Sequence, residues 1–157
     1  MNIEEEIVKK LTKLNYHIAT AESCTGGLVA ATLINVSDVS SVLDLSLVTY
    51  ANKEKVRFLR VKEETIKNFG VVSEEVAREM AQGLQKISGA EVALSTSGIA
   101  GPSGGTPKKP VGMVCFGIAI KDKVYTYTKY FGNIGRQEVR GAAVSFILNT
   151  LNDLLNI

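Results

Sequence analysis

The sequence contains no tryptophan, one histidine (His17), two cysteines (Cys24 and Cys115) and three prolines. Two cysteines that form no CxxC pair supply neither a disulfide framework nor a thiolate cluster. With a single histidine, little material is left for a transition-metal site. The longest apolar run, Val111 to Ile120, falls short of the ~20 residues a membrane-spanning helix needs. The amino terminus, MNIEEEIVKK, lacks the basic-then-apolar pattern of a signal peptide. Neither sign of charge dominates, since 18 Lys and Arg face 16 Asp and Glu, for a net charge of +2. Nucleic-acid and anionic-membrane binders usually show a basic stripe or cluster. These absences point to a cytoplasmic protein with no metal, no nucleic-acid partner and no membrane partner.

What is present is ordinary globular material. Hydrophobic residues make up 45% and charged residues 22% of 157 residues, which excludes intrinsic disorder and suits one domain over 1–157. A domain of this size buries roughly 68–70% of its unfolded surface, so it folds without a covalent staple. There is no internal repeat, low-complexity tract or linker. Hydrophobic spacing predicts helices over 3–15, from about 24 to 36, and over 52–60, 62–68, 74–88 and 136–155. Ser73 is the expected N-cap of the fifth. Strands are predicted over 16–21, 42–50, 91–97, 111–120 and 124–131, with Lys121-Asp122-Lys123 turning the last two into an antiparallel hairpin. Val111–Ile120 is apolar on both faces, as in a strand covered on both sides. The expected fold is α/β: a three-layer α/β/α domain with a mixed sheet of about five strands.

Two glycine-rich loops follow predicted strands and are expected at the same sheet edge. The first is AESCTGG, 21–27, between a strand and a helix. That position exposes Ser23 at the carboxyl edge of a sheet and aims helix N–H groups at it. Ser23, with Thr25, Gly26 and Gly27 behind it, reads as a nucleophile or a phosphate cradle. It reads equally as a capping serine with glycines for tight packing. The second loop is SGIAGPSGGTPKKPVG, 97–112. Its glycines free N–H groups for an anion nest, and Lys108 and Lys109 add charge suited to a phosphate. Loops this long are uncommon unless functional or mobile.

A serine nucleophile needs a base. At ~3.3 Å per residue, a strand places His17 roughly 15–20 Å from Ser23, too far to serve. The same distance excludes a Cys24–His17 pair. A lysine whose pKa is lowered by burial is the remaining class. Lys53 and Lys55, just after the strand that ends at Tyr50, are both placed to reach Ser23, with Tyr50 able to relay a proton or hold the amine. Spacing does not choose between the two lysines. Glu22 could orient the lysine or cap structure.

Four blocks, TAESCTGG (20–27), VTYANKEK (48–55), GVVSEEVAREMA (70–81) and SGIAGPSGGTPKKPVG (97–112), resemble the carboxy-terminal domain of the CinA (competence/damage-inducible) family. That domain also occurs as a stand-alone nicotinamide-nucleotide amidase. The resemblance runs from about residue 3 to 155, so the domain alone is expected, without the nucleotide-binding amino-terminal domain of longer members. It implies hydrolysis of the carboxamide of nicotinamide mononucleotide to nicotinic acid mononucleotide and ammonia, in pyridine nucleotide salvage, with no cofactor. By the resemblance Ser23 matches the nucleophile, Lys55 the base and Tyr50 the tyrosine beside it. Ser97 matches a serine or threonine of the site. Arg136 matches the arginine of a GDR-like element, with Arg140 four residues on. Gly135 stands where that element has aspartate, and the spacing back to Phe131 is one residue longer. The implied substrate-binding set is Thr25, Gly26, Gly27, Ser97, Gly98, Gly101, Gly104, Gly105 and Arg136. Helix N–H groups after Ser23 are the expected oxyanion donors. Two rival readings are a non-catalytic nucleotide- or phosphate-binding module and an interaction subunit. A homo-oligomer is expected, with Tyr125, Tyr127 and Tyr130 either at its interface or packed on the sheet.

Overall fold

A computed structural model describes residues 1–155; the last two residues of the expected 1–157 domain lie outside the described residues. In chain order the elements are α1 (Ile3–Leu14), β1 (Ile18–Glu22), α2 (Leu28–Ile34), β2 (Leu43–Val48), α3 (Asn52–Leu59), α4 (Glu63–Phe69), α5 (Glu74–Ser88), β3 (Val92–Gly98), β4 (Met113–Ile120), β5 (Lys123–Tyr130) and α6 (Arg136–Leu154). The sheet order is β2-β1-β3-β4-β5. Strands β2, β1 and β3 are parallel, and β4 and β5 follow antiparallel. This is the expected mixed five-stranded α/β sheet with helices on both faces. A 3-10 turn at Val39–Ser41, which the periodicity did not predict, leads into β2.

Local chemistry sets the helix starts. In α1, Asn2 and Glu5 form a reciprocal capping box. The Ser73 side chain accepts from the Val76 N–H and starts α5 where expected. The second helix begins at Leu28, four residues later than the earliest expected start, because residues 23–27 are spent on turns. The Lys121–Asp122 hairpin hands over at Lys123, which is already in β5.

The two faces of the sheet carry side chains of different size. Toward α1, α2 and α6 the core holds Ile7, Leu11, Ile18, Leu33, Leu94, Phe116, Ile118 and Ile147. Tyr127 and Phe116 both pack on Phe146 of α6, with ring centroids 5.7 and 4.8 Å away. Tyr125 also packs against this core, whereas Tyr130 is exposed. The opposite face is lined by Ala19, Ala21, Ala93 and Ala119, under Val76, Met80 and Leu84 of α5. Small residues let α5 lie close to the sheet, and the Ser95 hydroxyl donates to the Ala77 carbonyl at 2.7 Å. Among the described residues no helix is long and apolar enough to cross a membrane.

The connection from β1 through α2 leads to β2 on one side of β1. The connection from β2 through α3, α4 and α5 leads to β3 on the other. The carboxyl end of β1 is therefore the switch point of the parallel half, where open α/β sheets form a crevice. Glu22 is in register with Val48 and Thr96, so the loops after β1, β2 and β3 leave from one level.

Gly83 sets the distance between α5 and α3, because a Cβ there would overlap the Leu59 carbonyl. Alanine normally gains helix propensity over glycine by ~1 kcal/mol. Here Gly83→Ala is expected to lower stability instead, by ~1–3 kcal/mol of overpacking, measured as a shift of the urea midpoint.

Candidate active site

Ser23 is the first residue after β1, and its N–H donates to the Thr96 carbonyl at 3.1 Å. The Ser23-Cys24-Thr25-Gly26 turn closes with the Gly26 N–H on the Ser23 carbonyl at 3.0 Å. Behind the turn lies Glu22, 1% exposed. Its carboxylate accepts from the Thr25 hydroxyl at 2.6 Å and from the N–H groups of Gly27, Val29 and Ala30 at 3.2, 2.9 and 3.0 Å. The choice left open for Glu22 thus resolves as a cap: it satisfies the free donors at the start of α2, where the helix dipole favours an anion.

Part of the expected set of oxyanion donors after Ser23 is thereby committed. The N–H groups of the first turn of α2 already point into Glu22, and Leu28 donates to the Thr25 carbonyl. Thr25 is fully buried, with its hydroxyl between Glu22 and the Thr96 hydroxyl, so its side chain is structural and does not line a cavity. Gly26 and Gly27 shape the turn, with φ of 58° and 100°.

Lys55 reaches Ser23 from α3. The buried residues of that helix are Lys55 and Leu59, four apart on one face, while Lys53 is exposed. The Lys55 Nζ lies 3.1 Å from Ser23 Oγ. It also donates to the carbonyls of Thr49 and Tyr50, at 2.7 and 2.9 Å. The side chain is 1% exposed, and the ion pairs among the described residues, His17–Asp44 and Arg57–Glu54, do not include it. Burial without a counter-charge brings its pKa down to about 8. Of the two expected roles of Tyr50, the structure shows it holding the amine, through its backbone carbonyl. The phenol is exposed and accepts from Arg136 Nη2 at 3.0 Å.

His17 lies before β1, at the opposite end of the strand from Ser23, bonded to Asp44 at 2.7 Å. That hydrogen bond raises its pKa. Burial pushes the Cys24 thiol up to about 11, which leaves it protonated beside the serine.

A cavity of about 310 Å³ opens at the same sheet edge, lined by Cys24, Tyr50, Val71, Val72, the loop residues Gly98 to Gly101, Ser103, Gly104 and Arg136; Ser23 and Lys55 lie behind Cys24 and Tyr50 and are not part of the lining. The second glycine loop therefore sits at the same edge as Ser23. Gly105 is outside the lining and packs on Val111. Ser97 is buried and donates to the Val71 carbonyl at 2.9 Å, so its hydroxyl braces the cavity wall. Arg136, at the start of α6, joins two walls through the Gly101 carbonyl (2.8 Å) and the Tyr50 hydroxyl. Glu138 lies over Gly135 and brings to this helix end the negative charge an aspartate would supply. Lys109 is outside this lining, and two of its three N–H groups go to the carbonyls of Phe69 and Val72. Arg140, Thr96 and Val71 belong to the site's framework and were not expected there. The i, i+4 pairing of Lys55 with Leu59 is the signal that separates Lys55 from Lys53. Among the described residues, no three His, Cys, Asp or Glu side chains gather as a metal-binding group.

These features define an α/β/α protein with a buried serine–lysine pair at the switch point of a mixed sheet. Residues 1–155 match the family described as "CinA C-terminal domain". The "CinA-like protein" of Kosmotoga olearia is 46% identical over 148 residues, 94% of this chain and 36% of that protein. The chain thus spans about a third of the length of that relative, at 36%. The crystal structure of competence/damage inducible protein CihA from Agrobacterium tumefaciens superposes with a TM-score of 0.94 at 40% identity, over 98% of this chain and 96% of that one. That of a competence or damage-inducible protein from Enterobacter asburiae gives 0.95 at 35% identity, over 98% and 96%. The chain belongs to the CinA C-terminal domain family.

The lysine also marks the folding equilibrium. Its native pKa of about 8 lies below the unfolded value of 10.5, so the unfolded state holds more protons between the two. The cost of burying the charge is complete below about 8 and is relieved as pH rises toward 10.5. The stability of the parent relative to Lys55→Met is therefore expected to rise across that window, measured by urea denaturation at pH 7 and pH 10.

Proposed function

We propose that this chain hydrolyses the carboxamide of nicotinamide mononucleotide, with Ser23 as nucleophile and Lys55 as its base. The observation that carries the proposal is the Lys55 Nζ at 3.1 Å from Ser23 Oγ, with the Thr49 and Tyr50 carbonyls taking its other two hydrogen bonds. A neutral amine has two N–H groups and one lone pair. The carbonyls take the N–H groups, and the lone pair faces the serine hydroxyl. With a pKa of about 8, roughly one amine in ten is neutral at pH 7.

In the proposed reaction Lys55 accepts the hydroxyl proton as Ser23 Oγ bonds to the amide carbon. The tetrahedral intermediate collapses as Lys55 returns the proton to the leaving nitrogen, and ammonia departs. Water then attacks the acyl-serine with Lys55 again taking a proton, which releases the carboxylate and restores Ser23. The cavity of about 310 Å³ lies at the lower end of the ~300–1,000 Å³ of small-molecule sites. Tyr50 offers a flat wall for a pyridine ring. The N–H groups of Gly101, Ser103 and Gly104 have no partner among the described residues and suit a phosphate nest. Arg136 has donors beyond the two that brace the walls. Such a reaction belongs to pyridine nucleotide salvage in the cytoplasm.

The test is ammonia release from nicotinamide mononucleotide by the purified chain without added metal. The parent is expected to turn over, Ser23→Ala not at all, and Lys55→Met ~10²–10⁴-fold more slowly in kcat. The rate should climb with pH and level off above about 8, as the amine loses its proton. Arg136→Ala should raise KM more than it lowers kcat. A folded parent that is stabilised by the nucleotide yet releases no ammonia would instead make this a binding module.

A further inference from the structure

The loop that forms one wall of the cavity is held by little backbone. Between Ala100 and Lys109 the backbone hydrogen bond among the described residues is a local one, the Thr106 N–H on the Lys109 carbonyl at 2.8 Å. The Lys109 N–H returns to Thr106 Oγ1 at 3.0 Å, which fixes the point where the lysine side chain leaves the loop. Side chains attach this stretch to the rest of the protein. Arg136 donates to the Gly101 carbonyl, and the Lys109 amine donates to the carbonyls of Phe69 and Val72, the latter at 2.7 Å.

Those carbonyls need a partner from outside. Phe69 ends α4, and the last carbonyls of a helix have no donor within it. A lysine at this end satisfies them and complements the helix dipole. Residues 69–72 link α4 to α5, and all four of their carbonyls are taken. The Gly70 carbonyl accepts from the Ser73 hydroxyl at 2.7 Å and the Val71 carbonyl from the Ser97 hydroxyl at 2.9 Å. Gly70 leaves room for the amine: its φ is +81°, and a Cβ there would fall 2.5 Å from Lys109 Nζ.

This short segment supplies the second wall. Val71 and Val72 line the cavity from it, while Gly98 to Gly101, Ser103 and Gly104 line it from the loop. Lys109 joins the two walls without entering the cavity. It lines a separate hollow of about 330 Å³ that shares only Val72 with the first.

Resting on the reading of the 310 Å³ cavity as the nucleotide site, we infer that Lys109 is a positioning residue whose amine clamps the glycine loop to residues 69–72. The clamp sets the width of the cavity and the place of the unbonded N–H groups of Gly101, Ser103 and Gly104. Ser23 and Lys55 take no part in it, so it governs how the nucleotide is held and not how the amide is cleaved.

The experiment uses Lys109→Met, Lys109→Arg, Gly70→Ala and the double variant Gly70→Ala/Lys109→Met in the full chain. One readout is the KM and kcat for nicotinamide mononucleotide. The other is covalent labelling of Ser23 by an alkyl fluorophosphonate, which needs no nucleotide. There the Ser23 Oγ–P bond forms, the P–F bond breaks, fluoride leaves and Lys55 takes the hydroxyl proton. For Lys109→Met we expect KM to rise ~10-fold, the scale of one lost charge-assisted hydrogen bond. Labelling should hold and kcat should stay within about 2-fold, the pattern of lost uniform binding. Lys109→Arg keeps a cation with donors and should recover part of the KM, which preserves the test if the methionine variant does not fold. Gly70→Ala keeps the cation but puts a methyl group where the amine lies, and should raise KM as Lys109→Met does. The double variant should be no worse than the worse single one, because both changes release the same clamp.

A parental KM in Lys109→Met would overturn the inference. So would full additivity in the double variant, since a lysine that touched the substrate itself would act independently of Gly70. A loss of labelling alongside the rise in KM would overturn it too, because the serine–lysine pair would then depend on the clamp. If the parent takes label but releases no ammonia, the amidase reading fails. The affinity for nicotinic acid mononucleotide, measured by calorimetry, then replaces KM and decides the clamp alone. If the parent binds no nucleotide either, the inference falls with the reading of the cavity.

Discussion

A buried carboxylate with no ion-pair partner among the described residues holds the switch point together. Glu22 ends β1 and at once gathers the Thr25 hydroxyl and three N–H groups of the segment that becomes α2. Charge-assisted hydrogen bonds of this kind are roughly twice as strong as neutral ones, and they replace the water the carboxylate gives up. The consequence is geometric. The chain must fold back over Glu22 in a single tight turn, and that turn is what leaves Ser23 at the sheet edge. A short helix of seven residues has little stability of its own, so its start is set by this anchor and its packing by Val29, Ala30 and Leu33.

The lysine is held in the opposite manner. Among the described residues nothing negative meets Lys55; two neutral carbonyls and a serine do. Its burial follows from the placement of α3, which starts four residues after β2 and turns Lys55 and Leu59 inward. The close approach of α5 at Gly83 holds that helix in place. Two charged groups of opposite sign are thus buried next to the same serine, one capping a helix and one facing a hydroxyl. Each is satisfied separately, and neither neutralises the other.

Most of the architecture was legible in the chain because its elements carry strong local signals. Ser73 with Glu74 and Glu75, the apolar run before Lys121 and the long stripe of α6 each point to one structure. What starts α2 was not legible, because the buried Glu22 carboxylate rather than a residue at the cap position satisfies its first N–H groups. At the site, the glycine loops and Ser23 stood out by composition. The choice of Lys55 came from family resemblance, although its spacing to Leu59 carried the same information. Tyr50 holds the lysine through a backbone carbonyl, Ser97 and Thr25 act through buried hydroxyls, and Lys109 through an amine that reaches carbonyls some forty residues away, none of which a sequence pattern displays. Arg140 was visible only as a second arginine; its contacts with the turn depend on how α6 crosses the sheet.

The absence of a partner charge on Lys55 reaches beyond the pocket. Dissolved ions screen interactions between charges, and an ion-paired lysine would shift its proton affinity as ionic strength changes. Here dehydration sets the affinity, and mobile ions do not enter a site that is 1% exposed. The protonation of this amine therefore responds less to the salt content of the surrounding solution than that of an ion-paired surface lysine.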